Sequence, residues 1–246
     1  MLLGEPARTP LDLNFQLFGI PVRVHPFFWL TAAFLGSQGR NARELLIWVV
    51  AVFLGVLVHE LGHAVAMRSF GLWPWITFFG LGGLTSVNPA LVSRSRGGSA
   101  RAQVLISLAG PLAGFVLAGA IVAILRLVGR PVWFVLPNPV PFLADLRPPE
   151  LGEFIWDLLA VCIYWGILNL MPIYPLDGGQ IAREILVAFN PRGGIVVSLM
   201  ISAVAAGILA VVSIVVWKSM LTGFFFGYLA YSSYATLQAY QQHRPW

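Results

Sequence analysis

Between Leu45 and Met67 the chain runs for 23 residues with a single charged side chain, Glu60. A helix rises about 1.5 Å per residue, so a run of that length crosses the roughly 30 Å hydrocarbon layer of a bilayer. Inside it lies His59-Glu60-Leu61-Gly62-His63. Positions i and i+4 share a helix face, so His59 and His63 can offer nitrogen to one metal ion while Glu60, one residue round, meets a water bound to it. This is the spacing of a zinc hydrolase. Ionisable groups are costly in a membrane span and mark functional sites there. A pair of core histidines bonded to neighbouring helices is the alternative, and it gives no reason for the His-Glu-x-x-His spacing.

Composition extends the membrane reading to the whole chain. Hydrophobic residues make up 58% and charged residues 10%, and the mean hydropathy is +0.81, whereas soluble domains carry about a quarter charged residues. The 246 residues have room for about six spans. The net charge of +5 comes from arginines at segment edges, which reads as topology and lipid-headgroup contact and excludes a nucleic-acid surface. The single cysteine, Cys162, sits in an apolar run, so no internal disulfide can form and a buried hydrophobe is its expected role. Glu5, Arg8 and Asp12 interrupt the first residues, and no cleaved signal is expected.

Taken in order, residues 1–23 read as a surface segment, with Gly19-Ile20-Pro21-Val22 extended or turning. Spans are expected at 24–36, 45–67, 102–128, 154–171, 195–217 and 220–240. The first is short, and the last two are joined so tightly at Lys218-Ser219 that they form an antiparallel pair. Residues 72–87 are aromatic and β-branched with Gly80, Gly82 and Gly83 in their midst, which suits an interfacial or re-entrant β-hairpin; a Gly-rich loop is the alternative. Ser93 to Ser99 reads as a basic loop and 129–150 as a Pro-rich interfacial loop. Ala109-Gly110-Pro111 and the small residues after it permit close helix approach, and Pro111 can kink its helix. The expected fold is an all-α polytopic membrane protein with a small β-hairpin, in one domain covering 1–246. His25 and His243 are isolated and receive no role.

The fourth span runs into Asn169-Leu170-Met171-Pro172-Ile173-Tyr174-Pro175-Leu176-Asp177-Gly178-Gly179. Two prolines and two glycines predict irregular backbone, which is tolerated at membrane depth only beside protein or a wet cavity. Asp177 on that segment suits the third protein ligand of a catalytic zinc. Asp-Gly is also a strong turn signal, so a turn residue is the competing reading.

Together these motifs resemble the site-2 protease family of intramembrane zinc metalloproteases. The resemblance takes in His59-Glu60-Leu61-Gly62-His63, Asn169 to Pro172, Leu176 to Gly179, Gly82-Gly83 and Ala109-Gly110-Pro111, in matching order and membrane setting. It implies one zinc ion per chain held by His59, His63 and Asp177, with Glu60 as general base. It further implies that Asn169 helps to position the substrate peptide or polarise its carbonyl. It encourages a substrate-positioning role for Gly82 and Gly83, where a strand edge could hold an unwound substrate by β-addition. Neither a PDZ-like insertion nor a C-terminal nucleotide-binding domain is recognisable. Implied partners are single-pass transmembrane substrates within the lipid bilayer, with no nucleic acid; the oligomeric state stays open. A transporter relay leaves the metal spacing unexplained, and a histidine-box di-iron enzyme needs more than four histidines. A catalytically silent relative that binds transmembrane clients remains the alternative, against which the intact Glu60 argues. Nine basic residues fall on the side of both termini and six on the other, which favours cytoplasmic termini in a prokaryotic plasma membrane.

Overall fold

The computed structural model describes residues 6–80, 82–92, 96–130, 132–133, 142–143 and 148–242. In chain order the elements are β1 (Leu13–Leu17), β2 (Ile20–Val24), α1 (Pro26–Gly36), α2 (Ala42–Ser69), β3 (Trp75–Phe79), β4 (Gly82–Ser86) and the short α3 (Pro89–Val92). Then follow α4 (Ala100–Leu127), β5 (Val132–Trp133), β6 (Phe142–Leu143), α5 (Pro149–Asn169), α6 (Asp177–Phe189), α7 (Gly194–Val215) and α8 (Met220–Gln242). Most of the Pro-rich loop, Ser93 to Ser95 and His243 lie outside the described residues.

The helices α2, α4, α5 and α7 are long and apolar enough to cross a membrane. The expected first span is instead the end of β2 followed by the 11-residue α1, about 16 Å of helix, half the hydrocarbon thickness. Helix α8 has the length of a span, but its tyrosines, serines and glutamines make it less apolar than the other four.

The chain divides into two compact units, Met1–Gly98 with Ala109–Ile167, and Ser99–Leu108 with Leu168–Trp246. In the first unit the expected hairpin is present as β3–β4, within a four-stranded sheet ordered β1-β2-β3-β4. The added hairpin β1–β2 comes from the stretch read as a surface segment. Phe18 and Gly19 take positive φ at its turn, as tight hairpins require, and Arg68 at the end of α2 donates to both of their carbonyls at 2.6 Å. Pro21 obscured the strand in the sequence because it cannot donate to a ladder. Here it lies just outside the parallel β2–β3 pairing, which starts at Val22↔Ile76. Ile20, Val22, Val24, Ile76 and Phe78 bury one sheet face against Phe28 of α1 and Val56, Leu57 and Ala64 of α2, so the sheet rides on the helix that carries the histidines. His25, without a role in the sequence, accepts from the Phe27 amide and so caps α1.

Asn41 and Glu44 close a capping box at the start of α2, satisfying amides that a helix start leaves open. Just before it, Arg40 donates to both carboxylate oxygens of Asp157 on α5, at 2.7 and 2.8 Å, and lies over the Trp48 ring. Asp157 is fully buried while Arg40 keeps about a quarter of its side chain exposed, its side-chain exposure being 23%. In the second unit, α7 packs along both α6 and α8, and Ile173 is buried with Ala206, Phe226 and Leu229.

Breaking a buried ion pair costs most when the more buried charge is stranded. Arg40→Met is therefore expected to destabilise the protein by about 3 kcal/mol, more than Asp157→Leu, whose orphaned guanidinium can turn to water. The Arg40→Met/Asp157→Leu pair should lose less than the sum of the singles. Thermal unfolding in detergent measures this, and strictly additive losses would show the two groups to be uncoupled.

Candidate metal centre

Helix α2 presents His59 and His63 on one face, as their spacing demands. Both are buried. Their Nε2 atoms lie 3.1 Å apart and the rings meet edge-on, with centroids separated by 4.8 Å. Asp177, expected on irregular backbone, is instead the first residue of α6 and is buried. A carboxylate there is favoured by the unpaired amides and dipole of the helix start. His59 and His63 in the first unit and Asp177 in the second each offer a buried ligand atom of the kind that zinc takes. Two imidazole nitrogens and one carboxylate oxygen are a donor set that suits a borderline-soft ion, and three protein ligands leave a catalytic zinc one position for water.

Glu60 is buried beside the two histidines, and strand β4 shapes its surroundings. Side chains alternate along a strand, so Gly83 and Thr85 face the same way, toward α2. A Cβ added at Gly83 would overlap Glu60 Cγ, Cδ and Oε1. Its absence is what lets the carboxylate lie against the strand. The Thr85 hydroxyl donates to Glu60 Oε2 at 2.7 Å and lies 3.1 Å from the Glu60 carbonyl. One donor therefore ties the carboxylate to its own helix turn. Gly82 faces the other way, and a Cβ there would meet the Trp165 ring at 3.0 Å.

On another side of α2, Ala109 and Gly110 of α4 make the close approach that their size predicted. A Cβ added at Gly62 would meet the Ala109 carbonyl, and one at Gly110 would overlap the His63 ring. Gly110 is thus specified by the imidazole that lies on it, beyond the general demands of helix packing.

The sequence model of peptidase family M50 matches residues 47–208, more than half of the chain. The chain belongs to peptidase family M50. This M50 protein is 27% identical over 177 residues to the zinc metalloprotease MJ0392 of Methanocaldococcus jannaschii, a match covering 70% of this chain and 44% of that one. It is 27% identical over 253 residues to the putative zinc metalloprotease sll0528 of Synechocystis, covering 92% and 60%. The chain therefore spans about half the length of these curated relatives. Its fold is similar to that of the Site-2 Protease from Methanocaldococcus jannaschii, with a TM-score of 0.57 and 20% identity over 92% of this chain and 95% of that one.

Of the residues singled out in the sequence, His59 and His63 lie together on α2, Asp177 starts α6, and Glu60 and Gly83 lie against each other. Asn169 ends α5 and is buried. Sequence reasoning missed Thr85. Its only sequence signal was its place two residues from Gly83 in a strand, which puts the two on one face but does not say what they meet. Asp157 was missed as well, although a carboxylate inside the apolar run 154–171 was a signal of the kind that exposed Glu60.

If Gly110 keeps His63 in place, Gly110→Ala should weaken zinc binding about tenfold or more, the scale seen when a ligand loses its support. Gly119→Ala in the same helix, where an added Cβ meets nothing within 4 Å among the described residues, should leave it unchanged. Chelator competition on the two purified variants gives the comparison, and equal affinities would show that His63 adapts.

Proposed function

We propose that this M50 chain is an intramembrane zinc endopeptidase that hydrolyses peptide bonds within transmembrane segments of membrane-protein substrates. The observation that carries the proposal is the buried pair His59 and His63 with a buried, hydrogen-bonded Glu60 on a helix long and apolar enough to span a bilayer, with Asp177 read as the third ligand from its motif. Family membership supports a zinc protease, and the membrane-length helices support a substrate met inside the bilayer.

In this reading His59, His63 and Asp177 would hold one zinc ion, which would supply the Lewis acidity that lowers the pKa of water to about 7. Glu60 takes a proton from the attacking water and returns one to the leaving amine. Thr85 keeps its carboxylate oriented by donating to Oε2. Asn169 positions the substrate peptide or polarises its carbonyl. A transmembrane helix hides its carbonyls in i to i+4 bonds, so a substrate must unwind locally before attack. Strand β4 lies at an edge of the described sheet, so Gly82 to Ser86 can pair with the unwound strand. Gly82 and Gly83, already matched to Trp165 and Glu60 on their two faces, keep that strand thin.

The two acids have different jobs, and this separates them experimentally. Asp177→Ala should reduce bound zinc and cleavage together, since two histidines alone hold the metal weakly. Glu60→Gln should keep near-normal zinc while cleavage falls by at least about a hundredfold. Metal content and cleavage of one single-pass substrate in liposomes give both readouts. Full zinc occupancy with wild-type cleavage in Asp177→Ala would demote Asp177 to a turn residue, and loss of metal in Glu60→Gln would make Glu60 a ligand.

The arginine distribution supports cytoplasmic termini in a prokaryotic plasma membrane. A cysteine replacing the exposed Gln38 should then be labelled from outside intact cells, and one replacing Gln242 only after permeabilisation. The opposite pattern inverts the topology.

A further inference from the structure

Within the second unit, the stretch 170–176 joins α5 to α6 and contains Pro172 and Pro175. Proline cannot donate, so this backbone cannot build a regular ladder, and its polar groups need other partners where water is scarce. Serine hydroxyls on two neighbouring helices provide them. On α7, Ser202 Oγ accepts from the Tyr174 amide at 3.1 Å and lies 3.3 Å from the Pro172 carbonyl. It also lies 2.9 Å from the Ser198 carbonyl one turn back, the usual place for a helical serine to bond. On α8, Ser233 Oγ donates to the Tyr174 carbonyl at 3.3 Å. Both serines are buried, at 1% and 0% exposure.

The first turn of α6 rests on the same backbone. A Cβ at Gly178 would overlap the Leu170 and Met171 carbonyls, and one at Gly179 would overlap Ile173 and lie 2.5 Å from the Tyr174 amide nitrogen. Ile173 is itself fully buried among Ala206, Phe226 and Leu229. Asp177 immediately precedes these glycines, so its place is set by the place of 170–174. We propose that Ser202 and Ser233 are positioning residues for Asp177: two hydroxyls from α7 and α8 hold the backbone on which α6 starts, and through it they fix the carboxylate that reaches the metal. This inference rests on the reading of Asp177 as a zinc ligand.

Ser213 is an internal control. It lies on α7, is fully buried like Ser202, and its Oγ has no hydrogen-bond partner among the described residues. Purified full-length Ser202→Ala, Ser233→Ala, Ser213→Ala and Asp177→Ala would be compared for zinc affinity by chelator competition and for thermal unfolding of the zinc-depleted protein. The expected result is a loss of zinc affinity of about tenfold in Ser202→Ala, a smaller loss in Ser233→Ala, and wild-type affinity in Ser213→Ala. Asp177→Ala should show the largest loss with little change in metal-free stability. Wild-type affinity in both Ser202→Ala and Ser233→Ala, beside a loss in Asp177→Ala, overturns this inference and leaves the ligand reading intact. Unchanged affinity in Asp177→Ala overturns the ligand reading and the inference with it. Equal losses in all three serine variants would assign the effect to general packing of α7 and α8 and overturn the positioning role. Should Ser202→Ala fail to fold, Ser233→Ala carries the same comparison.

Discussion

Everything around the site answers to one constraint: two imidazoles and a carboxylate stand on an apolar helix, and groups of that kind are not left bare in a low-dielectric interior. Partners must come close, and only backbone without side chains can come close enough. Gly83 brings β4 against Glu60, and Gly110 brings α4 against His63. Once β4 is that near, Thr85 reaches the Glu60 carboxylate. The sheet's other interactions follow from the same approach, since its apolar face buries against Val56, Leu57 and Ala64 on either side of the motif in α2.

The second unit meets an equivalent demand with different chemistry. The proline-interrupted segment before α6 has lost its ladder, and Ser202 and Ser233 stand in for it. A hydroxyl both donates and accepts, which suits a backbone offering an amide at Tyr174 and carbonyls at Pro172 and Tyr174. Helix–helix hydrogen bonds of this type are individually small in membrane proteins, on the order of 1 kcal/mol. Their effect here is on position, because Gly178 and Gly179 transmit the placement of the segment to α6 without slack. The Arg40–Asp157 pair treats a buried carboxylate in a third way, with a bidentate guanidinium that also stacks on Trp48.

Much of this was legible before any coordinates, wherever the signal was local. His59, Glu60 and His63 share a helix stretch because four residues make about one turn. The apolar runs gave α2, α4, α5 and α7 to within a few residues, and the glycines at 80 to 83 gave the β3–β4 hairpin. Other stretches misled for equally local reasons. Pro21 hid a strand that tolerates it only because the β2–β3 ladder starts one residue later. Pro172, Pro175 and the glycine pair concealed that α6 begins at Asp177, since glycine and proline signal breaks whether or not packing restores a helix just beyond them.

What the sequence determined by itself is the chemistry available and the face on which each group sits, for both are properties of a few consecutive residues. Which neighbour each face meets was decided only by the tertiary structure. Thr85 lies 25 residues from Glu60 and Asp157 lies 117 from Arg40. Ser202 lies 28 from Tyr174 and Ser233 lies 59 from it. A serine in an apolar helix or a threonine in a strand reads the same in the sequence whether it faces lipid, a core or a buried carboxylate. Hydrogen bonds act over about 3 Å, and no periodicity along a chain states which distant residue folding will bring within that reach.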